Sequence, residues 1–229
     1  MKKQDRVLPL LTAILITFNY LLGYTFIYPQ MISILRSTFN LSYTVLRILE
    51  VLIYVFVFIT TVFPARKMLR YGWERYTDNY KVNMKRIFRS QVCIIVRMAA
   101  ITLVLMQLGI GSSYNQEQIG GLVRINPVLY TLMAVVFAPF VEEIVFRGCI
   151  YRRIEATGHK YLGYIVSSFI FGLVHVISPL LQGNWVQGLY IFVYGFLGMV
   201  MCIMYEKTDS LFCSILLHML NNAISLLGV

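Results

Sequence analysis

Apolar residues run in long blocks along this chain, broken at charged and turn-rich positions. Cutting the 229 residues at those breaks leaves seven blocks, at 7–28, 46–63, 91–109, 127–150, 161–181, 187–205 and 210–227. Each approaches the roughly 20 apolar residues that an α-helix needs to cross a hydrocarbon layer. The first follows a basic leader at 1–6. It is too long, and its cleavage context too poor, for a removable signal peptide, so it is expected to stay as an anchor. Residues 30–45 are apolar in patches but hold Arg36 and Asn40, which suits an interfacial helix or a re-entrant piece better than another crossing. The pattern predicts an all-α fold: a polytopic membrane helix bundle of about seven transmembrane helices, eight if 30–45 crosses, enclosing a polar cavity. Residues 1–126 would supply the N-terminal membrane helices, with a basic cytoplasmic segment at 65–90, and 127–229 the second part of one integrated membrane domain.

Composition sharpens this reading. The chain is 59% hydrophobic and only 13% charged, with a mean hydropathy of +0.72. Soluble chains carry roughly 25% charged residues, so there is too little polar surface here to cover a water-exposed globule. A secreted enzyme and a nucleic-acid-binding domain are both disfavoured. Cys93, Cys149, Cys202 and Cys213 lie in or beside apolar blocks without metal-site spacing, and are expected to be buried thiols.

The net charge of +10 marks sidedness. Of twenty Lys and Arg, three lie in the leader (Lys2, Lys3, Arg6), eight in 65–90, three in 151–160 (Arg152, Arg153, Lys160) and one, Lys207, in 206–209. Those fifteen fall on one side of the alternating topology, against Arg36, Arg47 and Arg124 on the other. The positive-inside rule therefore predicts a multi-pass protein of the cell membrane with its N-terminus in the cytoplasm and its C-terminus outside. The 65–90 segment interleaves its basic residues with Tyr71, Trp73, Tyr76 and Tyr80. Beside a membrane, this composition fits anionic lipid headgroups rather than nucleic acid.

The informative positions are ionisable residues inside the blocks, each costing about 2.5 to 3.5 kcal/mol at a helix centre. They are Glu50, Arg97, Glu142, Glu143, Arg147, His175 and His218, joined by the amide of Asn222. Glu50 and Arg97 read as structural, either as an interhelical ion pair or with Arg97 snorkelling. In VEEIVFRG, 141–148, successive residues point about 100° apart, so Glu142 and Glu143 should not face the same neighbour. Glu143 and Arg147 stack four apart in the favourable acid-first order. Glu142 is left without a counter-charge in its own helix, a carboxylate that takes up a proton or performs chemistry. His175 follows Phe171 by one turn in FIFGLVHV, with Gly172 admitting a neighbouring helix. His218 and Asn222 share a face in HMLNN, and Asn221 points elsewhere. Counted from the cytoplasmic ends of their blocks, the three ionisable groups Glu142, His175 and His218 lie roughly 12 to 21 Å deep, so three helices can present them to one chamber. A carboxylate, two imidazoles and a carboxamide there suit hydrolysis: a base for water and donors for an oxyanion. No GxSxG or HExxH motif is present.

Glu142, Glu143 and Arg147 form EExxxR, Phe171 and His175 form FxxxH, and His218 and Asn222 form HxxxN, in that order on successive membrane segments. The ordered set, within about 127–225, resembles the CAAX-protease and bacteriocin-processing (CPBP, or ABI) family of intramembrane glutamate endopeptidases, whose members often have eight membrane helices. The resemblance implies that 127–229 holds the catalytic helices around a cytoplasm-facing cavity, and that a peptide bond is hydrolysed by water without an acyl-enzyme. It implies Glu142 as general base, His175 holding and polarising the water, His218 and Asn222 as oxyanion donors, and Glu143 and Arg147 as site-orienting residues. The expected partners are the bilayer and a membrane-associated peptide or protein substrate, and the expected role is peptide processing or bacteriocin self-immunity. No cofactor is expected. Two histidines and a glutamate can ligate Zn²⁺, but water activated by Glu142 and His175 makes a metal-free mechanism the preferred one. The competing class is a non-enzymatic membrane protein, either an immunity factor that binds its partner or a transporter, although the inverted repeats of a transporter are not visible.

Overall fold

The computed structural model describes residues 7–228 and is all-helical, with no strand among those residues. The basic leader at 1–6 lies outside them. Among the described residues six helices are long and apolar enough to cross a membrane: α1 (Leu10–Phe39), α2 (Tyr43–Asp78), α3 (Tyr80–Gln107), α5 (Pro127–Glu155), α6 (Lys160–Leu181) and α7 (Trp185–Thr208). A shorter apolar helix, α8 (Leu211–Leu226), comes after α7, and α4 (Tyr114–Ile125) is a short helix between α3 and α5.

One expectation about the N-terminal part changes. Residues 28–39 are neither a re-entrant nor a separate interfacial piece, because α1 runs straight through them to Phe39. A π-helical stretch at Asn19–Ile27 precedes Pro29, and the helix stops only where Asn40 turns left-handed at φ 48°. Asparagine tolerates that conformation better than other side chains. Ser42 then caps α2, its hydroxyl accepting from the Val45 amide. The basic stretch at 65–90 is helical almost throughout. It is the end of α2 and the start of α3, meeting at Asn79. Buried Asn83 seals the joint by donating from Nδ2 to the carbonyls of Arg75 at 3.2 Å and Tyr76 at 3.1 Å, which satisfies the orphan acceptors at the C-terminus of α2. α2 and α3 thus each combine an apolar half with a basic half.

The basic ends converge. Arg152 pairs with Asp209 at 2.8 Å, Lys160 with Glu206 at 3.1 Å, and Tyr71 donates to Asp209 at 2.6 Å. Ser210 donates to the Gly72 carbonyl at 2.6 Å, where a Cβ would meet the amides of Leu211 and Phe212 at 3.1 Å. These contacts bring the α2–α3 joint and the 151–160 and 206–209 turns to one end of the bundle, in the grouping that charge counting predicted.

α5 and α7 are the most buried of the long helices, and α2 and α3 the least. The core around them is built from Ile144, Val145, Phe146, Phe171, Met201 and Ile215, among others. α6 and α7 approach closely at Gly172, where a Cβ would stand 3.0 Å from the Ile191 carbonyl and 3.1 Å from the Gly195 amide. That contact fixes the helix one turn before His175. Glu50 does not meet Arg97: it pairs with Arg47 one turn earlier on α2, at 2.6 Å. Arg97 lies exposed beside Cys93, its guanidinium 5.8 Å from the Phe196 ring. All four cysteines are free; Cys149, Cys202 and Cys213 are buried as expected, whereas Cys93 is half-exposed.

Candidate active site

Two π-helical stretches, Met133–Phe137 and Ile144–Tyr151, bracket the regular turn Ala138–Glu143 of α5. Such bulges insert a residue into the helical repeat and frequently sit at functional sites. Here they set the two adjacent glutamates at the heart of the bundle.

Their environments differ sharply. Glu143 is fully buried and accepts three donors: Arg147 Nη1 at 2.8 Å and His218 Nδ1 at 2.8 Å on one oxygen, and the Ser214 hydroxyl at 2.6 Å on the other. Arg147, also fully buried, donates from Nη2 to the Gly198 carbonyl at 3.0 Å and lays its guanidinium over the Phe171 ring at 4.7 Å. Glu142 accepts one hydroxyl, from Tyr20 at 2.9 Å, and lines the cavity. Its other oxygen stands 3.7 Å from His218 Nε2, beyond a hydrogen bond but within ion-pair range. Ser214 and Tyr20 therefore complete a set that the motifs alone left incomplete.

The expectation that the two glutamates face different neighbours is corrected. Both address His218, Glu143 from the Nδ1 edge and Glu142 from the Nε2 edge. An imidazole carries its nitrogens on opposite edges, so one ring bridges two carboxylates that diverge around a helix. Because a carboxylate only accepts, His218 donates from Nδ1, and Nε2 is the nitrogen offered to Glu142.

His175 and Asn222 line the same cavity without a direct bond to Glu142. His175 donates from Nδ1 to the Phe171 carbonyl at 2.8 Å, which leaves Nε2 as an acceptor when the ring is neutral. Its ring stacks on Tyr194 at 4.6 Å, and Tyr194 in turn shares a hydrogen bond with Ser113 at 2.6 Å. Asn222 uses one amide N–H on the Ala134 carbonyl at 2.9 Å, in the π-helical stretch of α5, and has a second N–H to offer. Asn221, expected to point away, lines the cavity as well.

The cavity holds about 800 Å³, enough for a peptide segment or an ordinary ligand. Apolar Met98, Met133, Val174 and Leu197 share its wall with the polar groups. It reaches the surface among exposed Ser112, Gln118, Ser178 and Gly228. Among the described residues no group of three or more His, Cys, Asp and Glu side chains is arranged to hold a metal ion.

Tyr20 carries no sequence signal, because nothing in the first block distinguishes it from other membrane tyrosines; Ser214 is legible, standing four residues before His218 on the same helix face. Tyr20→Phe should leave Glu142 without its one donor. The expected result is a stability loss of about 1 kcal/mol, read by thermal unfolding of the purified protein.

Residues 124–224 match the family model described as Type II CAAX prenyl endopeptidase Rce1-like. An uncharacterized protein of Mycoplasma capricolum subsp. capricolum is 27% identical over 123 residues, covering 44% of this chain and 36% of the relative. The chain thus spans about a third of the length of that curated relative. No solved structure matches.

Proposed function

We propose, on the match of residues 124–224 to the Rce1-like family model, that the chain is an intramembrane glutamate endopeptidase, hydrolysing a peptide bond of a membrane-associated peptide or protein with an activated water. The observation that carries the reading is the inequality of the two glutamates: Glu143 is saturated by three donors, whereas Glu142 has one and faces an 800 Å³ cavity. Saturation stabilises a carboxylate but removes its capacity to take a proton, so the base is Glu142.

In this scheme a water donates one hydrogen to Glu142 and the other to His175 Nε2, which turns its lone pair toward the substrate carbonyl. As water adds, its proton passes to Glu142. His218 Nε2, protonated and held by Glu143, donates to the tetrahedral oxyanion together with the second N–H of Asn222. Glu142 then delivers its proton to the leaving amine. With Glu142 and Glu143 ionised and Arg147 and His218 cationic, the four groups sum to zero charge, which limits the cost of gathering them inside a bilayer. Glu143 and Arg147 orient the site. The role we assign is processing of membrane-associated peptides, with self-protection against a bacteriocin as one use of the same chemistry. The basic halves of α2 and α3 would rest on anionic headgroups.

The test is cleavage of a library of membrane-tethered peptides by the purified full chain, with and without a strong chelator. Cleavage that persists in chelator and falls by about 10²-fold or more in His175→Ala is expected. No cleavage of any peptide overturns the endopeptidase reading. Cleavage abolished by chelator and restored by Zn²⁺ overturns the metal-free mechanism.

A further inference from the structure

The cavity and the basic residues occupy opposite ends of the bundle. Along each helix that starts from the basic end, the lining residues appear only in the far part. They are Tyr20 through Pro29 on α1, Met98 and Thr102 on α3, His175 and Ser178 on α6, and His218 through Leu226 on α8. On helices running the other way the order inverts. α5 lines the cavity from Tyr130 to Glu142 and becomes basic at Arg152, while α7 lines it from Tyr190 to Leu197 and reaches Lys207 at its end. The mouth is bordered by α4 and by the C-terminal end of α8, neither of which belongs to the basic end.

Fifteen of the twenty Lys and Arg lie on the leader, the α2–α3 joint and the 151–160 and 206–209 turns, against Arg36 late in α1, Arg47 early in α2 and Arg124 at the end of α4. Such an asymmetry in short connections keeps the basic end in the cytoplasm. Resting on the endopeptidase reading above, we infer that the active-site cavity opens to the extracytoplasmic face, and that its substrate is a peptide segment arriving from outside the cytoplasm rather than a cytoplasmic tail. The cytoplasm-facing cavity implied by the resemblance and the topology implied by charge cannot both hold in a fold that puts mouth and basic residues at opposite ends.

The wall at the mouth says what kind of segment. Asn115, Gln116, Gln118, Ser112 and Ser178 line it, with no Lys, Arg, Asp or Glu among the lining residues except Glu142 itself. Amides and hydroxyls pair with peptide N–H and C=O groups without asking for a charge. Below them lie apolar Met98, Met133 and Leu197. The pocket therefore suits an uncharged, partly apolar stretch of secreted or outer-leaflet peptide.

Sidedness can be measured without any activity. In a Cys93→Ser background, Gln118→Cys at the mouth and Lys85→Cys at the basic end place exposed thiols at opposite ends of the chain. A membrane-impermeant maleimide applied to intact cells producing the full chain should label Gln118→Cys and leave Lys85→Cys unlabelled until the cells are permeabilised. The reverse pattern, labelling of both, or labelling of neither before permeabilisation overturns the proposal. A second arm supplies impermeant fluorescence-quenched peptides to the same cells. Cleavage by sealed cells that is lost in Glu142→Gln is expected, and cleavage seen only after permeabilisation overturns the substrate side. Absence of cleavage in both states overturns the endopeptidase reading instead, and labelling alone then decides the orientation.

Discussion

Glu142→Gln should lower kcat by about 10³-fold, the middle of the range for removing a general base, while leaving KM and the unfolding temperature nearly unchanged. The reason is the sparse hydrogen bonding of Glu142. A glutamine in its place still accepts the Tyr20 hydroxyl through Oε1, so the contact at 2.9 Å survives. Its amide would then point toward His218 Nε2, 3.7 Å from the present oxygen. At that distance the amide makes no hydrogen bond to the ring, and the Nδ1–H of His218 remains committed to Glu143. What disappears is the capacity to hold the proton of water. Glu143→Gln at the neighbouring position should behave oppositely, losing stability first, because a neutral amide cannot satisfy Arg147, His218 and Ser214 together. Peptide cleavage and thermal unfolding measured on both variants separate the two roles. A Glu142→Gln protein that retains cleavage above about a tenth of the wild-type rate removes Glu142 as the base.

The contrast also shows how far residue patterns reach in a membrane chain. Glu142, Glu143, Arg147, His175 and His218 are legible because hydrocarbon makes each of them costly, so their presence demands a reason. Their meeting around one chamber is implied by depth along the helices, and the structure brings all five to the cavity or its supporting wall. Tyr20 is of a different kind. It is one of sixteen tyrosines in a chain where that residue is welcome at many depths, so neither cost nor spacing marks it. The π-helical stretches at 19–27, 133–137 and 144–151 are hidden for another reason. A wheel drawn at about 100° per residue assumes an unbroken 3.6 repeat, and each inserted residue rotates the remainder of the helix. The shared His218 lies outside the same approximation, which treats a neighbour as a point rather than a ring with two edges. Similarly, hydropathy finds the apolar parts of α2 and α3 but not their basic continuations, because it registers burial in lipid and not helicity.

The second large effect is expected at Arg147. Its guanidinium is fully buried and joins three elements: Glu143 on its own helix at 2.8 Å, the Gly198 carbonyl of α7 at 3.0 Å, and the Phe171 face on α6 at 4.7 Å. Nε has no partner among the described residues, so the arrangement is held by charge and stacking rather than by a complete set of hydrogen bonds. Arg147→Met keeps much of the volume but leaves Glu143 ionised, buried and short of its strongest partner, at a cost of about 3 to 5 kcal/mol. Adding Glu143→Gln removes the stranded charge and should recover most of that stability, since an apolar or neutral replacement of a buried pair is often close to neutral. Activity should not return with it. The double variant no longer has a carboxylate to hold the His218 imidazolium through Nδ1, so the donor facing the oxyanion is lost even though the helices pack. Thermal unfolding of the two singles and the double, analysed as a cycle, together with cleavage rates for the double, tests both halves. If Arg147→Met costs less than about 1 kcal/mol, the pair does not carry charge in the folded protein, and the four-group balance assigned to the site is wrong.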